Sequence, residues 1–140
     1  MAANKSRYLE DKLIDHTLVA TTFTSPTTVY AALYTVAPTK TEAGTEVSDS
    51  GTAYARVNCG ATSVGGKFSA SSGGTTTNDA SIVFPTATAS WGTVVACAIL
   101  DSATVGAGNI LYFGDLTASK TVDSGDTVTF ATGALDIAET

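Results

Sequence analysis

His16 is the chain's one histidine, and Cys59 and Cys97 are its two cysteines. His16 would act as a general base only with a positioned partner in a cleft. Its near neighbours Asp11 and Asp15 do not supply one: Asp15 is adjacent in sequence and points elsewhere on a helix. No G-x-S-x-G elbow exists to build a nucleophilic triad, so His16 reads as a packing or interface residue. Asp123, Asp126 and Asp136 gather near the C terminus, and Asp101 and Asp115 flank the preceding hairpin. Paired carboxylates can hydrolyse glycosides, and Asp-rich loops can hold calcium. Asp123-Ser124-Gly125-Asp126 is also what a β-turn requires, with Asp to cap it and Gly for positive φ, and that is the reading adopted. Neither cysteine has a Cys or His at ligand spacing, so the pair reads as buried free thiols, with a disulfide as the alternative. The doublets Gly65-Gly66 and Gly73-Gly74 lack the spacing of a phosphate loop. Trp91 reads as a core or corner anchor; stacking on a sugar ring or anchoring a protein interface is the alternative. No catalytic, cofactor-binding or metal-ligating residue is assigned, and no cofactor is expected.

The elements that must position these groups are mostly strands. A chain of 140 residues has the length of one domain and can bury a real core. Charged residues make up only 14 %, while Thr, Val, Ala, Ser and Gly are abundant, which favours strands over helices. The net charge is -6, and the seven basic residues are scattered. No basic stripe exists to neutralise phosphates, so no direct nucleic-acid binding is expected. No apolar run reaches transmembrane length and no signal peptide is apparent, so the chain is expected to be made in a host cytoplasm, to stay soluble and to bind no membrane.

Residues 1–6 read as a flexible N-terminal arm ahead of a single β domain over 7–140. An amphipathic helix is expected from residue 7 to 20, with Leu9, Leu13, Ile14 and Leu18 on its apolar stripe and Asn4 or Ser6 as cap. From Thr28 to Thr35 the period becomes two and both faces are apolar, the pattern of a strand buried on both sides. Further strands are expected at 53–59, 79–84, 94–100, 110–113, 128–130 and 134–137, with a short one at 67–69. The stretches 39–52 and 60–78 read as polar loops. The fold class is therefore mainly β: an antiparallel β-sandwich or jelly-roll-like domain with one N-terminal amphipathic α-helix.

Several segments, in order, also resemble a known family. Tyr8-Leu9-Glu10 with Leu13-Ile14-Asp15-His16, Thr28-Val29-Tyr30-Ala31-Ala32-Leu33-Tyr34, Gly44-Thr45-Glu46-Val47-Ser48, Tyr54-Ala55-Arg56, Trp91-Gly92-Thr93, Asn109-Ile110-Leu111-Tyr112 and Gly125-Asp126-Thr127 are similar to the motifs of small tailed-phage virion proteins often labelled "phage tail fibre protein". The departures are the loops from Gly65 to Asn78 and from Ser102 to Gly108, where lengths vary. The resemblance implies a non-enzymatic virion structural protein. The expected role is a head decoration, or cement, protein on the outer capsid surface, a homo-oligomer with a trimer favoured, whose partner is the major capsid protein. The alternative is a tail or tail-fibre component contacting tail proteins or a host surface receptor or glycan. Candidate interface residues are Ala2, Ala3, Asn4, Lys5, Tyr54, Arg56 and Trp91.

Overall fold

The structure, a computed structural model, describes residues 2–61 and 66–139. Ten strands and one helix follow in the order β1 (Ala2–Lys5), α1 (Arg7–Leu18), β2 (Thr28–Val36), β3 (Thr45–Glu46), β4 (Val57–Ala61), β5 (Thr75–Thr77), β6 (Ile82–Val83), β7 (Gly92–Leu100), β8 (Ile110–Val122), β9 (Thr129–Phe130) and β10 (Asp136–Ala138). The chain is thus mainly β with one helix near its N terminus, as its composition indicates. An 8-stranded sheet runs β3-β2-β7-β8-β1-β10-β5, with β4 also on β2, and a 2-stranded sheet joins β6 to β9. All pairings are antiparallel except β1 with β10.

β2 is apolar on both sides because it is buried on both sides. Ala31 and Leu33 point into the main core, with Cys97, Ile99 and Leu111 from the large sheet and Ile82 and Phe130 from the small one. The main core therefore lies between the two sheets, the two-layer logic of a sandwich. Ala32 and Tyr34 point the other way, into a second cluster with Ala96, Ala98 and Leu100. One edge of β2 pairs with β7; β4 and β3 share the other. Between those two, the Leu33 amide donates to the Tyr54 hydroxyl (2.9 Å), so a side chain completes the ladder where no strand does.

The N-terminal arm is not an arm. Residues 2–5 form β1, whose Asn4 and Lys5 pair with Phe113 and Tyr112 of β8 while Ala2 and Ala3 pair with Asp136 and Ile137 of β10. Ala3 is buried in the main core, and Lys5 forms an ion pair with Glu139. Ser6 follows at once as the helix N-cap, its hydroxyl accepting from the Leu9 amide (3.2 Å). The helix ends at Leu18 rather than residue 20, and Ala20 sits in the left-handed region at φ 57°. Its apolar stripe is only partly used: Leu9 is buried and Tyr8 and Leu13 pack on the core, but Ile14 and Leu18 stand 53 % and 80 % exposed.

Strand limits shift elsewhere. β8 runs on from the expected 110–113 to Val122, with register shifts against β7 where Val94 pairs with Lys120 and Ala96 with Asp115. The ladder at 53–59 starts only at Val57, and the segment around residue 68 makes an isolated bridge to Asn78 rather than a strand. Within the expected loops, Thr45–Glu46 and Thr75–Thr77 form short strands. Residues 62–65 of the 60–78 stretch, Met1 of the expected arm and Thr140 lie outside the described residues.

Candidate functional site

The densest polar chemistry lies where the chain turns from β3 toward β4. Arg56 is 8 % exposed and Glu46 lies beside it, their side chains exposed by only 1 % and 8 %. The guanidinium grips the carboxylate with both prongs, Nε to Oε1 at 2.8 Å and Nη2 to Oε2 at 2.7 Å. Nη1 donates to the Ser102 and Ala107 carbonyls at 2.7 and 2.8 Å. Glu46 Oε2 accepts the Gly106 amide at 3.1 Å, and Oε1 accepts the Tyr54 hydroxyl at 2.9 Å. Burial opposes the charge on Arg56, but the hydrogen bonds and charge of Glu46 outweigh it and push the guanidinium pKa above its ordinary value. Burial, with the Glu46 charge behind it, raises the Tyr54 phenol far above the usual tyrosine range. A buried ion pair of this kind is saturated: it holds shape rather than turning over substrate.

It ties two loops together, the one around residues 46–56 between β3 and β4 and the one at 101–109 between β7 and β8. Asp101 closes the second loop from its base, taking the Asn109 amide at 2.7 Å and its side-chain nitrogen at 2.9 Å. Two glycines are obligatory here. A Cβ on Gly108 (φ +80) would come within 2.5 Å of Ser102 Cβ, and one on Gly44 (φ +68) within 2.4 Å of the Val36 carbonyl. Between the loops lies a cleft of about 270 Å³ lined by Tyr34, Glu46, Arg56, Leu100, Gly108 and Ile110 among others. It adjoins a second cleft of about 300 Å³ through Ala43, Gly108 and Ile110, where Ser6, Tyr8, Thr39, Thr41 and Asn109 stand. Burial, then the Glu46 charge, push the Tyr34 phenol up to about 12, so it keeps its proton at neutral pH.

The candidate interface residues fall into three places. Ala2, Ala3, Asn4 and Lys5 are in β1, inside the sheet. Tyr54 and Trp91 are core residues, 3 % and 4 % exposed, with rings 5.3 Å apart and edge-to-face. Tyr54 also stacks on Phe84, and Trp91 Nε1 donates to the Thr52 carbonyl at 2.9 Å. Each polar tip has a partner inside, which is why these aromatics turn inward. Arg56 is buried in its ion pair. Burial therefore argues against a direct surface role for Ala3, Tyr54, Arg56 and Trp91, while the alternation that set Tyr54 and Arg56 on one face does bring both onto the same carboxylate. Glu46 had no sequence signal as a site residue, because it does not lie in a spaced motif with a reactive partner.

The remaining candidates resolve quietly. Cys59 and Cys97 are free and buried, and burial raises their thiols to about 11 and about 12, which leaves them poor nucleophiles. His16 is exposed and its Nδ1 accepts the Phe23 amide at 3.2 Å, a tie across the helix end. Asp123 and Asp126 close a turn on each other: the Asp126 amide donates to the Asp123 carbonyl and the Asp123 amide to Asp126 Oδ2, both at 3.0 Å. No group of three metal-ligating side chains occurs among the described residues, and no helix among them is long and apolar enough to cross a membrane.

Compared with known protein families, the chain matches the model described as podophage GP4 fiber I protein gp80 over residues 4–138. No curated protein matches it.

Proposed function

The chain belongs to the family of podophage GP4 fiber I protein gp80, and on that premise we propose that it is a non-enzymatic structural protein of a phage virion, built into a tail fibre as a homo-oligomer. The observation that carries this reading is a family match reaching from residue 4 to residue 138, nearly the whole chain, under a description that speaks of a fibre. It moves the preferred placement from the capsid surface to the tail. The polar cluster agrees with a structural role. Glu46, Arg56 and Tyr54 spend their hydrogen bonds on one another and on loop backbone, so their chemistry goes into holding two loops at one end of the sheet. Exposed apolar side chains supply the assembly contacts: Ile14, Leu18 and Val19, 53 %, 80 % and 63 % exposed, crowd the free end of α1.

Gold-labelled antibody against the chain, imaged on whole particles together with copy number, tests the placement. Label on the tail with a copy number matching the fibres is expected. Label spread over the head, in numbers that follow the capsid lattice, would overturn the fibre placement and restore the decoration role.

A further inference from the structure

Two apolar surfaces are left uncovered, one convex and one concave. The convex one is the free end of α1, where Ile14, Leu18 and Val19 stand exposed. Asp15 lies three and four residues before Leu18 and Val19, and Asp11 lies three before Ile14, so two carboxylates share that helix surface with the apolar side chains. The concave one is a cleft of about 250 Å³ between β9 and the stretch of β8 past its pairing with β1. Val94, Val128 and Phe130 close its floor, while half-buried Leu116 and exposed Ala118 give it an open wall. Val83, 49 % exposed, pairs with Thr129 of the cleft lining and continues the apolar surface on that face. Lys120 stands exposed at the rim and makes no ion pair among the described residues, and neither do Asp11 and Asp15.

A cleft of this volume falls below small-molecule sites, which begin at about 300 Å³, and suits a side chain presented by another protein surface. We propose that it receives the free end of α1 from a second copy of this chain, Leu18 entering against Leu116 and Ala118 while Lys120 meets Asp15. The charges are complementary: the cleft lining carries one cation and no acid, and the helix end carries two acids without an ion-pair partner. The two surfaces are also placed for repetition. Ser6, the cap of α1, is bonded to Ile110 and Leu111 at the start of β8, whereas the cleft takes in Leu116 to Lys120 farther along the strand. A contact between unlike surfaces of identical copies leaves a cleft free at one end and a helix end at the other, so it builds a ring or a filament. This pairing rests on the assembly role proposed above for the helix end and adds to it the surface that end meets.

Complementation between two broken copies tests the pairing. Leu18→Glu spoils the helix end and leaves the cleft, and Ala118→Glu puts a carboxylate in the cleft and leaves the helix end. Both positions are exposed, so each variant should keep the parent's unfolding midpoint. In sedimentation velocity the parent should self-associate and each variant alone should stay monomeric. An equimolar mixture of the two should form one-to-one dimers and nothing larger, because such a pair holds one intact contact. Within that dimer, Lys120→Glu in the Leu18→Glu copy should weaken association about threefold, and Asp15→Lys in the other copy should restore it. A mixture that stays monomeric, a parent that never associates, or a charge reversal that Asp15→Lys does not rescue overturns the pairing. Parent-like assembly by Ala118→Glu alone would overturn the cleft and leave the helix end's assembly role standing, whereas parent-like assembly by both variants would overturn the two together.

Discussion

Glu46 receives four hydrogen bonds, from Tyr54, twice from Arg56, and from Gly106, so it is the residue through which two loops are held together. Removing its charge leaves a guanidinium buried without its counter-ion. Glu46→Gln should therefore cost about 3 kcal/mol of stability, whereas replacing both partners with apolar residues of similar volume should cost less. Denaturant melts of the single and double variants check this; a single variant within experimental error of the parent would show that the ion pair is solvated in solution. Three shielded phenols, Tyr34 and Tyr54 buried and Tyr112 half-buried, give a second handle. Tyr34 is raised to about 12, and Tyr54 and Tyr112 are raised further, in each case by burial first. Below about pH 10 both folded and unfolded chains keep these protons, so the phenols add no pH dependence there. Above it the unfolded chain ionises first and is favoured, so stability should fall as pH climbs from about 10 toward 12. Phenolate absorbance followed alongside unfolding checks the order: Tyr34 or Tyr54 titrating before the fold is lost would contradict their burial.

Among the elements, β1 has the largest effect for its length. It is the link that joins β10 and β5 to β8, and so to the rest of the sheet. Deleting Ala2 to Lys5 removes both sets of pairings and the Lys5–Glu139 ion pair, a loss of roughly 3 kcal/mol at about 1 kcal/mol per ladder hydrogen bond. Amide exchange should speed up most in β10 and β5; unchanged protection there would mean that the strand is dispensable. This reverses the expectation of a free arm, and the reason it could not be read is physical. Ala-Ala-Asn-Lys carries no β-branched or aromatic residue, so its strand state comes from the edges of β8 and β10 that enclose it. β8 beyond Phe113 was hidden similarly, since Gly114 to Lys120 has no alternation and pairs with β7 through irregular register. β2 and β7 were legible because two apolar faces leave no other solution. The Glu46–Arg56 clamp was half legible: alternation set Tyr54 and Arg56 together, but nothing local says which acid they would meet.

For the whole molecule, the helix stripe is the point where sequence pattern and folded burial part company. Leu9, Leu13, Ile14 and Leu18 read as one core-facing stripe, yet α1 docks through its first turns, where Ser6 caps it and Leu9 enters the core. The free end then presents Ile14, Leu18 and Val19 to solvent, in a chain whose net charge of -6 otherwise favours separation of copies. Such a patch is a candidate contact surface, the role proposed for it above. Leu18→Glu tests this, because an 80 % exposed position contributes little to the isolated fold and the change there should stay within about 0.5 kcal/mol. Burying a carboxylate against a neighbour costs far more than that, so self-association and incorporation into particles should drop sharply while the unfolding midpoint holds. Light scattering of the purified variant and its abundance in purified particles are the two readings. Parent-like values in both would mean that the helix end faces solvent in the virion too, and would overturn its proposed role in assembly.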